Sequence, residues 1–393
     1  MNKPRVLYLS FDVMSMNPTR ELLVDVFAEL GVLTCFGPGY QPLQIVSRGI
    51  EAFIEANGPF DVVIADEYSI QDFSKLGRGE PLRFVIHACR FDRNLLRIGL
   101  DYKHFLERYR GLRLLTLMQS DYYNFPPERI DAMEGIADFF VTWGEELILP
   151  REAFADTATL PGGVNASIVA HSNDNYLDFL KRNRHRVISC PHFVHPTEGS
   201  DIPLTKRPIA WSVLGADYDA RIVVRDLVDG QGIPRSGDWL RHAHTILTRL
   251  GVNVYAHYWS IGLMRKCFQK ALRRSKHSFT CGSVLRWPIR KYFELPANGC
   301  TLVCEKTTGF SALGFRSGVN ACACDARDIL DANAWLEANI GEAQALADAG
   351  RSHVLKTHSV PARANQIAKA LASIFQGSFK GSYWHRGRFE LAD

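Results

Sequence analysis

The feature that most constrains the fold of this chain is a regular alternation of short apolar runs with helix-like segments. In the first 66 residues, β-forming runs at 5–11, 32–36 and 60–65 alternate with helical periodicity at 19–30 and 43–56. Such an alternation, with short connections, is typical of a parallel, doubly wound sheet. Further apolar runs at 82–86, 112–118, 139–141 and 187–190 continue the pattern.

The alternation restarts after a polar, proline-containing segment at 197–206. Strand-like runs follow at 209–214, 252–258, 278–281 and 300–304, with helical segments at 218–228, 263–276, 325–340, 342–357 and 361–375. A chain of 393 residues is also long enough for two cores. We therefore predict an α/β protein with two Rossmann-like domains facing a cleft, at 1–200 and 201–374. The C-terminal helix and the aromatic tail at 375–393 are expected to pack back on the N-terminal domain.

Several function classes lack their sequence signatures. No G-x-G-x-x-G motif follows a strand and no G-x-x-x-x-G-K-[ST] motif is present, which argues against NAD or FAD enzymes and P-loop nucleotide hydrolases. The absence of G-x-S-x-G, H-E-x-x-H and Cys-x2-Cys argues against a covalent nucleophile and a metal site, so no metal is expected. A net charge of +4 does not call for nucleic acid. The N-terminus resembles a first strand rather than a signal peptide, and a cytoplasmic location is expected.

Polar residues stand where the predicted N-terminal strands end. Ligand sites of doubly wound sheets lie at this carboxyl edge. We single out Asp12, His87 and Asp121 as residues that act as a general base or bind a substrate hydroxyl. A structural role is the competing interpretation for each of them.

The second half carries glycine and cation clusters. Lys291 and Glu294 are three residues apart and share a helix face, which suits a ligand with phosphates at one end and hydroxyls at the other. An ordinary surface Lys–Glu pair explains this spacing as well. The other candidates for donor binding in this half are Arg290 beside the pair, Gly215 and Arg221 after the first strand, and Thr308 and Gly309 in a glycine-containing loop.

The segment 264–276 is a basic helix, with six Lys or Arg residues in 13 positions. A solvated helix face explains this charge. The alternative is peripheral contact with the anionic inner face of a membrane.

A longer pattern resembles a known family. RKYFELPANGCTL at 290–302, LGFRSGVN at 313–320 and the helical tail after 349 are similar to the CgeB-like group of glycosyltransferases, which have the GT-B fold. The resemblance implies that Glu294 binds the donor's ribose hydroxyls, that Lys291 and Arg221 face its diphosphate, and that no metal is needed. It also favours retention of anomeric configuration. Arg286 departs from the pattern, because many relatives carry a Glu at this position that contacts the sugar.

We therefore predict a glycosyltransferase that moves a sugar from a nucleotide sugar to a glycan or other hydroxyl acceptor, in polysaccharide biosynthesis. The donor is expected in the C-terminal half and the acceptor in the N-terminal half. Two alternatives remain open from the sequence. A nucleotide-sugar epimerase of the same fold would form product without an acceptor, and a non-catalytic GT-B module would bind a partner or glycan.

Overall fold

The computed structural model describes residues 3–12, 18–67, 95–117, 133–149, 166–251, 258–283 and 286–393. Six parallel strands form the first sheet, in the order β2-β1-β3-β4-β5-β6. They are β1 (Arg5–Leu9), β2 (Val32–Phe36), β3 (Val62–Asp66), β4 (Leu112–Thr116), β5 (Phe139–Thr142) and β6 (Val187–Ser189). Every residue of β3 is buried, as expected for a parallel strand with helices on both faces of its sheet.

The helices of this half follow the apolar periodicity of the sequence. They are α1 (Thr19–Leu30), α2 (Leu43–Val46), α3 (Ile50–Asn57), α4 (Leu95–Arg108) and α5 (Ala166–Arg182). In α1, Leu23, Val26 and Phe27 are fully buried because their spacing places them on one face. The single helix predicted at 43–56 is wrong, since the chain breaks it at Gly49, where φ is +89°. The strand predicted at 82–86 lies outside the described residues.

Five parallel strands form the second sheet, in the order β11-β10-β9-β7-β8. They are β7 (Ile209–Ser212), β8 (Arg235–Ser236), β9 (Ser275–Thr280), β10 (Thr301–Cys304) and β11 (Cys322–Ala323). The accompanying helices are α6 (Asp219–Gly230), α7 (Asp238–Arg249), α8 (Tyr258–Arg274), α9 (Lys291–Ala297), α10 (Ile329–Ala338) and α11 (Ile340–Thr357). Of the strand predicted at 252–258, Tyr258 instead begins α8 and the other residues lie outside the described ranges. The prediction of two parallel Rossmann-like sheets is confirmed.

The C-terminal segment crosses back to the first half. Helix α12 (Val360–Phe375) packs on α1 and shares its apolar cluster, in which Ile367 and Leu371 lie with Leu23 and Phe27. The strands β12 (Ser382–His385) and β13 (Arg388–Leu391) form a hairpin that follows this helix. The Ser189 N–H donates to Ser382 Oγ at 2.8 Å, so the tail packs on the end of β6. The packing predicted for the tail is therefore confirmed, whereas the domain bounds stay predictions.

Each sheet has a point where the strand order reverses. The first strand of each half, β1 or β7, lies between the two strands that follow it in the chain. Loops leave such neighbouring strands in opposite directions and open a crevice at the carboxyl edge, where ligands of these folds bind. In the described part of the chain, no helix is both long and apolar enough to span a membrane.

Candidate active site

Two cationic side chains meet at a glycine directly beyond β7. Gly215 has φ +108°, a region that favours glycine. A Cβ atom added there would lie 2.9 Å from Arg221 Nη1, 2.9 Å from Lys291 Cε and 3.1 Å from Lys291 Nζ. Both cations therefore lie against the same piece of backbone, at the point where the second sheet reverses its strand order. The structure brings Gly215, Arg221 and Lys291 together, although they are separated in sequence.

Arg221 is held at this position by neutral groups. Its side chain is 1% exposed, and it donates to the Ala216 carbonyl at 3.2 Å and to Thr280 Oγ1 at 3.3 Å. Its Nε is buried and has no hydrogen-bond partner among the described residues. Arg225, one turn later in α6, instead forms an ion pair with Asp217. The charge of Arg221 is thus oriented, and no carboxylate among the described residues is bonded to it.

Lys291 is the second cation, at the start of α9. Its pKa is lowered to about 8, first by burial and then by the positive charge of Arg221, while Glu294 partly opposes this shift. Its Nζ lies 5.5 Å from the centre of the Phe268 ring. No ion pair recorded for the described residues involves Lys291. An anion bound between Lys291 and Arg221 would relieve their mutual repulsion.

Glu294 follows Lys291 by one turn in α9, and Arg290 directly precedes the helix. Burial raises the pKa of the Glu294 carboxyl, while the charges of Arg290 and Lys291 lower it. Arg290 Nε lies 3.7 Å from Glu294 Oε1, but the guanidinium donates to Glu198 at 2.5 Å and to the Phe193 carbonyl. Arg290 therefore anchors the segment that joins the two sheets. The structure does not gather it with the cations at Gly215.

The loop with Thr308 and Gly309 lies against the first half. A Cβ atom at Gly309, where φ is +79°, would lie 2.3 Å from Leu147 Cδ2 and 3.3 Å from the Glu146 carbonyl. Close contact between the halves thus requires glycine here. Thr308 is half-buried, and the role of both residues in donor binding stays a prediction. The neighbouring Thr307 Oγ1 is buried and has no partner in the described part of the chain.

Two further residues stand near this site. Arg286 is exposed and has φ +51°, and its backbone passes 2.7 Å from a Cβ atom added at Gly282. Glu305 follows β10; burial raises the pKa of its carboxyl, Asp325 raises it further, and Arg286 and Arg221 lower it. Sequence reasoning missed Glu305. The available signal was its position directly after a buried strand.

The candidates of the N-terminal half are only partly described. Asp12 is exposed at the end of β1, and its N–H donates to the Pro38 carbonyl at 2.9 Å. His87 and Asp121 lie outside the described residues. A buried ion pair joins Arg20 to Asp66 at 2.9 Å, at the same carboxyl edge. Sequence reasoning selected neither of them, although Asp66 ends a strand.

His192 marks the boundary between the halves. Its Nδ1 lies 2.9 Å from Thr19 Oγ1, and its ring packs edge-on against Trp143, which also contacts Trp287 of the second half. Burial and then the cations Arg290, Arg363 and Lys291 lower the pKa of His192 to about 3. The imidazole is therefore neutral at physiological pH. His192 lies three residues after β6, and sequence reasoning assigned no role to it.

Metal-ligating side chains do not cluster in the described ranges, where no group of three or more His, Cys, Asp or Glu residues could hold an ion. The positive charge beside Gly215 comes from side chains.

Comparison with known proteins identifies the architecture. Residues 247–369 match the family model described as "Glycosyl transferase-like". No curated protein gives a significant match.

Several solved structures share the fold over nearly the whole chain. HepE from Anabaena, in complex with UDP and glucose, has a TM-score of 0.53 and 11% identity over 94% of this chain and 100% of that one. Sucrose-phosphate synthase from Thermosynechococcus elongatus has a TM-score of 0.53 and 12% identity, covering 95% of this chain and 99% of that one. A glycosyltransferase from Rickettsia africae has a TM-score of 0.54 and 10% identity, covering 96% and 100%.

Identities this low establish the fold alone. The structural matches confirm the prediction of a GT-B architecture, and the strand orders of the two sheets support it independently. The chain thus has the fold of GT-B glycosyltransferases and carries a glycosyl transferase-like domain over residues 247–369.

Proposed function

We propose that this protein is a glycosyltransferase that takes a sugar from a nucleotide-sugar donor and transfers it to a hydroxyl acceptor. One observation carries the proposal. Arg221 and Lys291 converge on the Gly215 backbone at the reversal point of the second sheet, with no bonded carboxylate among the described residues. Two such cations in a partly buried crevice suit a diphosphate, whose negative charges match theirs.

The same pair would act on the leaving group. In the transfer, the bond between the anomeric carbon and the diphosphate oxygen breaks, and its electron pair leaves with the nucleoside diphosphate. The acceptor hydroxyl oxygen forms the new glycosidic bond, and its proton passes to the departing diphosphate. Arg221 and Lys291 stabilise the charge that develops on the departing diphosphate, because they are already oriented towards it. This arrangement supplies by side chains what a metal ion supplies elsewhere, and we propose metal-independent transfer with retention of configuration.

The nucleoside would lie towards Glu294. Glu294 follows Lys291 by one helical turn, its side chain is 12% exposed, and its carboxylate can accept hydrogen bonds from ribose hydroxyls. HepE from Anabaena, which shares the fold, was solved with UDP-glucose and with UDP. We therefore propose a uridine nucleotide as the first donor to test. Membership of the CgeB-like group stays a prediction.

The acceptor would bind at the carboxyl edge of the first sheet. Asp12 follows β1, the strand at that sheet's reversal point, and it is an exposed residue whose carboxyl pKa is raised by partial burial. We propose that it positions an acceptor or sugar hydroxyl, together with His87 and Asp121. A glycan acceptor fits this edge because its hydroxyl groups would pair with such polar side chains.

Nucleotide binding tests the donor site directly. Thermal shift is measured with UDP-, GDP-, dTDP- and CMP-sugars for the wild type, Lys291→Met, Glu294→Ala and the exposed control Lys206→Ala. A ligand at 100 times its Kd stabilises the wild type by about 2.7 kcal/mol. We expect the wild type and Lys206→Ala to respond alike and both site variants to lose the response. The donor-site assignment fails if no nucleotide sugar raises the Tm, or if Lys291→Met responds like the wild type.

Product analysis separates transfer from the alternatives. Incubation of the wild type with the stabilising nucleotide sugar and a panel of glycans should give a glycosylated acceptor and free nucleoside diphosphate. Conversion to an isomeric nucleotide sugar without any acceptor would instead show an epimerase.

A further inference from the structure

One stretch of the second half has an unusual charge pattern. Between Asp238 and Glu294 the sequence contains no acidic residue, although it contains eleven Lys or Arg residues. The whole chain has 42 acidic residues among 393, so about six would be expected in a stretch of this length. The helices α7 and α8 lie within this stretch and contact each other.

Large apolar side chains are exposed on both helices. Trp239, Ile246 and Leu250 belong to α7 and the residue after it, and Trp259 and Leu263 belong to α8. These five side chains are between 49% and 72% exposed. Within each helix the spacing of these residues, four, seven or eleven, places them on one face. Such concentrations of exposed apolar side chains mark interaction surfaces.

The exposed face of α8 continues into basic residues. Lys266 and Lys270 follow Trp259 by seven and eleven positions, so they extend the same face, and both are exposed. No ion pair recorded for the described residues involves either lysine. By contrast, Arg265 on the adjoining face binds Glu21 of α1: its Nη1 and Nη2 each donate to a carboxylate oxygen at 2.6 Å. The face with Lys266 and Lys270 thus keeps its positive charge for an external partner.

The opposite face of α8 reaches the candidate active site. Met264 and Phe268 pack against the apolar core, and the Phe268 ring lies 5.5 Å from Lys291 Nζ. A partner on the outer face would therefore be separated from the donor-site cations by the width of one helix.

We propose that the outer face of α7 and α8, defined here by Trp239, Ile246, Leu250, Trp259, Leu263, Lys266 and Lys270, docks on an anionic lipid surface. Tryptophan rings and aliphatic side chains enter the boundary between headgroups and acyl chains, while lysines contact anionic headgroups. Each basic residue near an anionic leaflet strengthens binding about fivefold. The proposal does not depend on the identity of the nucleotide sugar.

The charge and the apolar composition favour lipid over the other occupants. A second copy packed on this face by two-fold symmetry would bring the lysines of both copies into one interface, and the face provides no acidic residue to pair with them. A nucleic acid would use the basic residues but would gain little from aliphatic Ile246, Leu250 and Leu263, since its backbone is charged and its bases favour aromatic rings.

Vesicle co-sedimentation of the full chain tests the proposal. The lipids are phosphatidylcholine alone, or phosphatidylcholine with about 30% phosphatidylglycerol. Three double variants are compared with the wild type: Lys266→Glu with Lys270→Glu, Ile246→Asn with Leu263→Asn, and the control Lys356→Glu with Lys369→Glu on exposed positions of α11 and α12. All six substituted positions are exposed, and circular dichroism with Tm verifies that each variant is folded.

We expect the wild type to sediment with anionic vesicles and to remain in solution with neutral ones. Reversing both lysine charges should weaken the binding at least 25-fold, the asparagine variant should also bind more weakly, and the control should bind like the wild type. Raised salt should release the wild type, because the attraction is screened.

Three results would overturn the proposal. The wild type could fail to bind anionic vesicles, and the charge-reversed variant could bind as tightly as the wild type. Size-exclusion chromatography could also show a concentration-dependent dimer that the asparagine variant abolishes, which would assign the face to a second copy of the chain.

Discussion

Replacing Gly215 with alanine tests the central feature of the candidate site. The residue has φ +108°, and an added Cβ would lie 2.9 Å from both the Arg221 guanidinium and Lys291 Cε. The backbone strain should lower the free energy of unfolding by about 1–3 kcal/mol. For a domain of about 150–250 residues, such a loss lowers the Tm by about 2–12 °C.

The effect on nucleotide binding should be separate from this loss of stability. The new methyl group occupies the place where the two cations meet, so at least one of them moves away from the bound diphosphate. Losing one charge-assisted hydrogen bond costs about 1.5–3 kcal/mol. We therefore expect the Kd of the donor nucleotide to rise about 10- to 150-fold in Gly215→Ala.

Gly232→Ala is the matched control. Gly232 also has positive φ, at +65°, but a Cβ atom added there meets nothing within 4 Å. It should lose about 1–2 kcal/mol of stability from the same kind of strain and bind nucleotide like the wild type. Isothermal titration calorimetry gives both Kd values, and chemical denaturation gives the stabilities. Equal Kd values for Gly215→Ala and the wild type would refute the proposal that the donor's diphosphate binds beside Gly215, between Arg221 and Lys291.

Three further predictions follow from particular contacts. The pKa of His192 falls from 6.5 to about 3 on folding, so below pH 6.5 the unfolded chain binds a proton that the folded chain does not, and the free energy of unfolding should fall by up to about 1.4 kcal/mol per pH unit between pH 6.5 and 3. Urea unfolding at pH 7 and pH 5 should therefore show a smaller pH dependence for His192→Gln than for the wild type. An equal pH dependence in the two proteins would contradict the shift. EDTA should leave donor binding and transfer unchanged, because Arg221 and Lys291 supply the positive charge; loss of transfer that added Mg²⁺ restores would show that a metal is required. Trp384 is 2% exposed and packs on His358, so Trp384→Ala should lower the free energy of unfolding by about 3–5 kcal/mol. The neighbouring Tyr383 is exposed, so Tyr383→Ala should change the stability far less. Chemical denaturation measures both.

Local sequence patterns predicted most elements that frame the site. Leu23, Val26 and Phe27 recur at helical spacing, and the first four residues of β3 are all apolar, so both elements could be recognised without tertiary information. Boundaries were less certain. The break at Gly49 depends on one backbone conformation, and the chain from 258 became helix because the face of α8 with Met264 and Phe268 packs on the core.

The candidate site was also only partly predictable from local sequence. The spacing of Lys291 and Glu294 indicated a shared helix face, and the longer pattern around them indicated the donor side. Arg290, adjacent in sequence, looked equivalent to Lys291. Its ion pair with Glu198, 92 positions away, separates the two, because the guanidinium leaves the helix towards the segment that joins the sheets.

The sequence by itself determined the α/β alternation, its restart after residue 206, and the acid-free basic stretch after Asp238, since each depends on residue order and composition alone. Only the tertiary structure decided which polar residues meet. Arg221 and Lys291 are 70 positions apart in the sequence. They converge at Gly215 because they follow β7 and β9, which are neighbours in the sheet and have their carboxyl ends at the same edge. Strand order is a long-range property: it depends on how helices cover both faces of a sheet, and no local spacing encodes it.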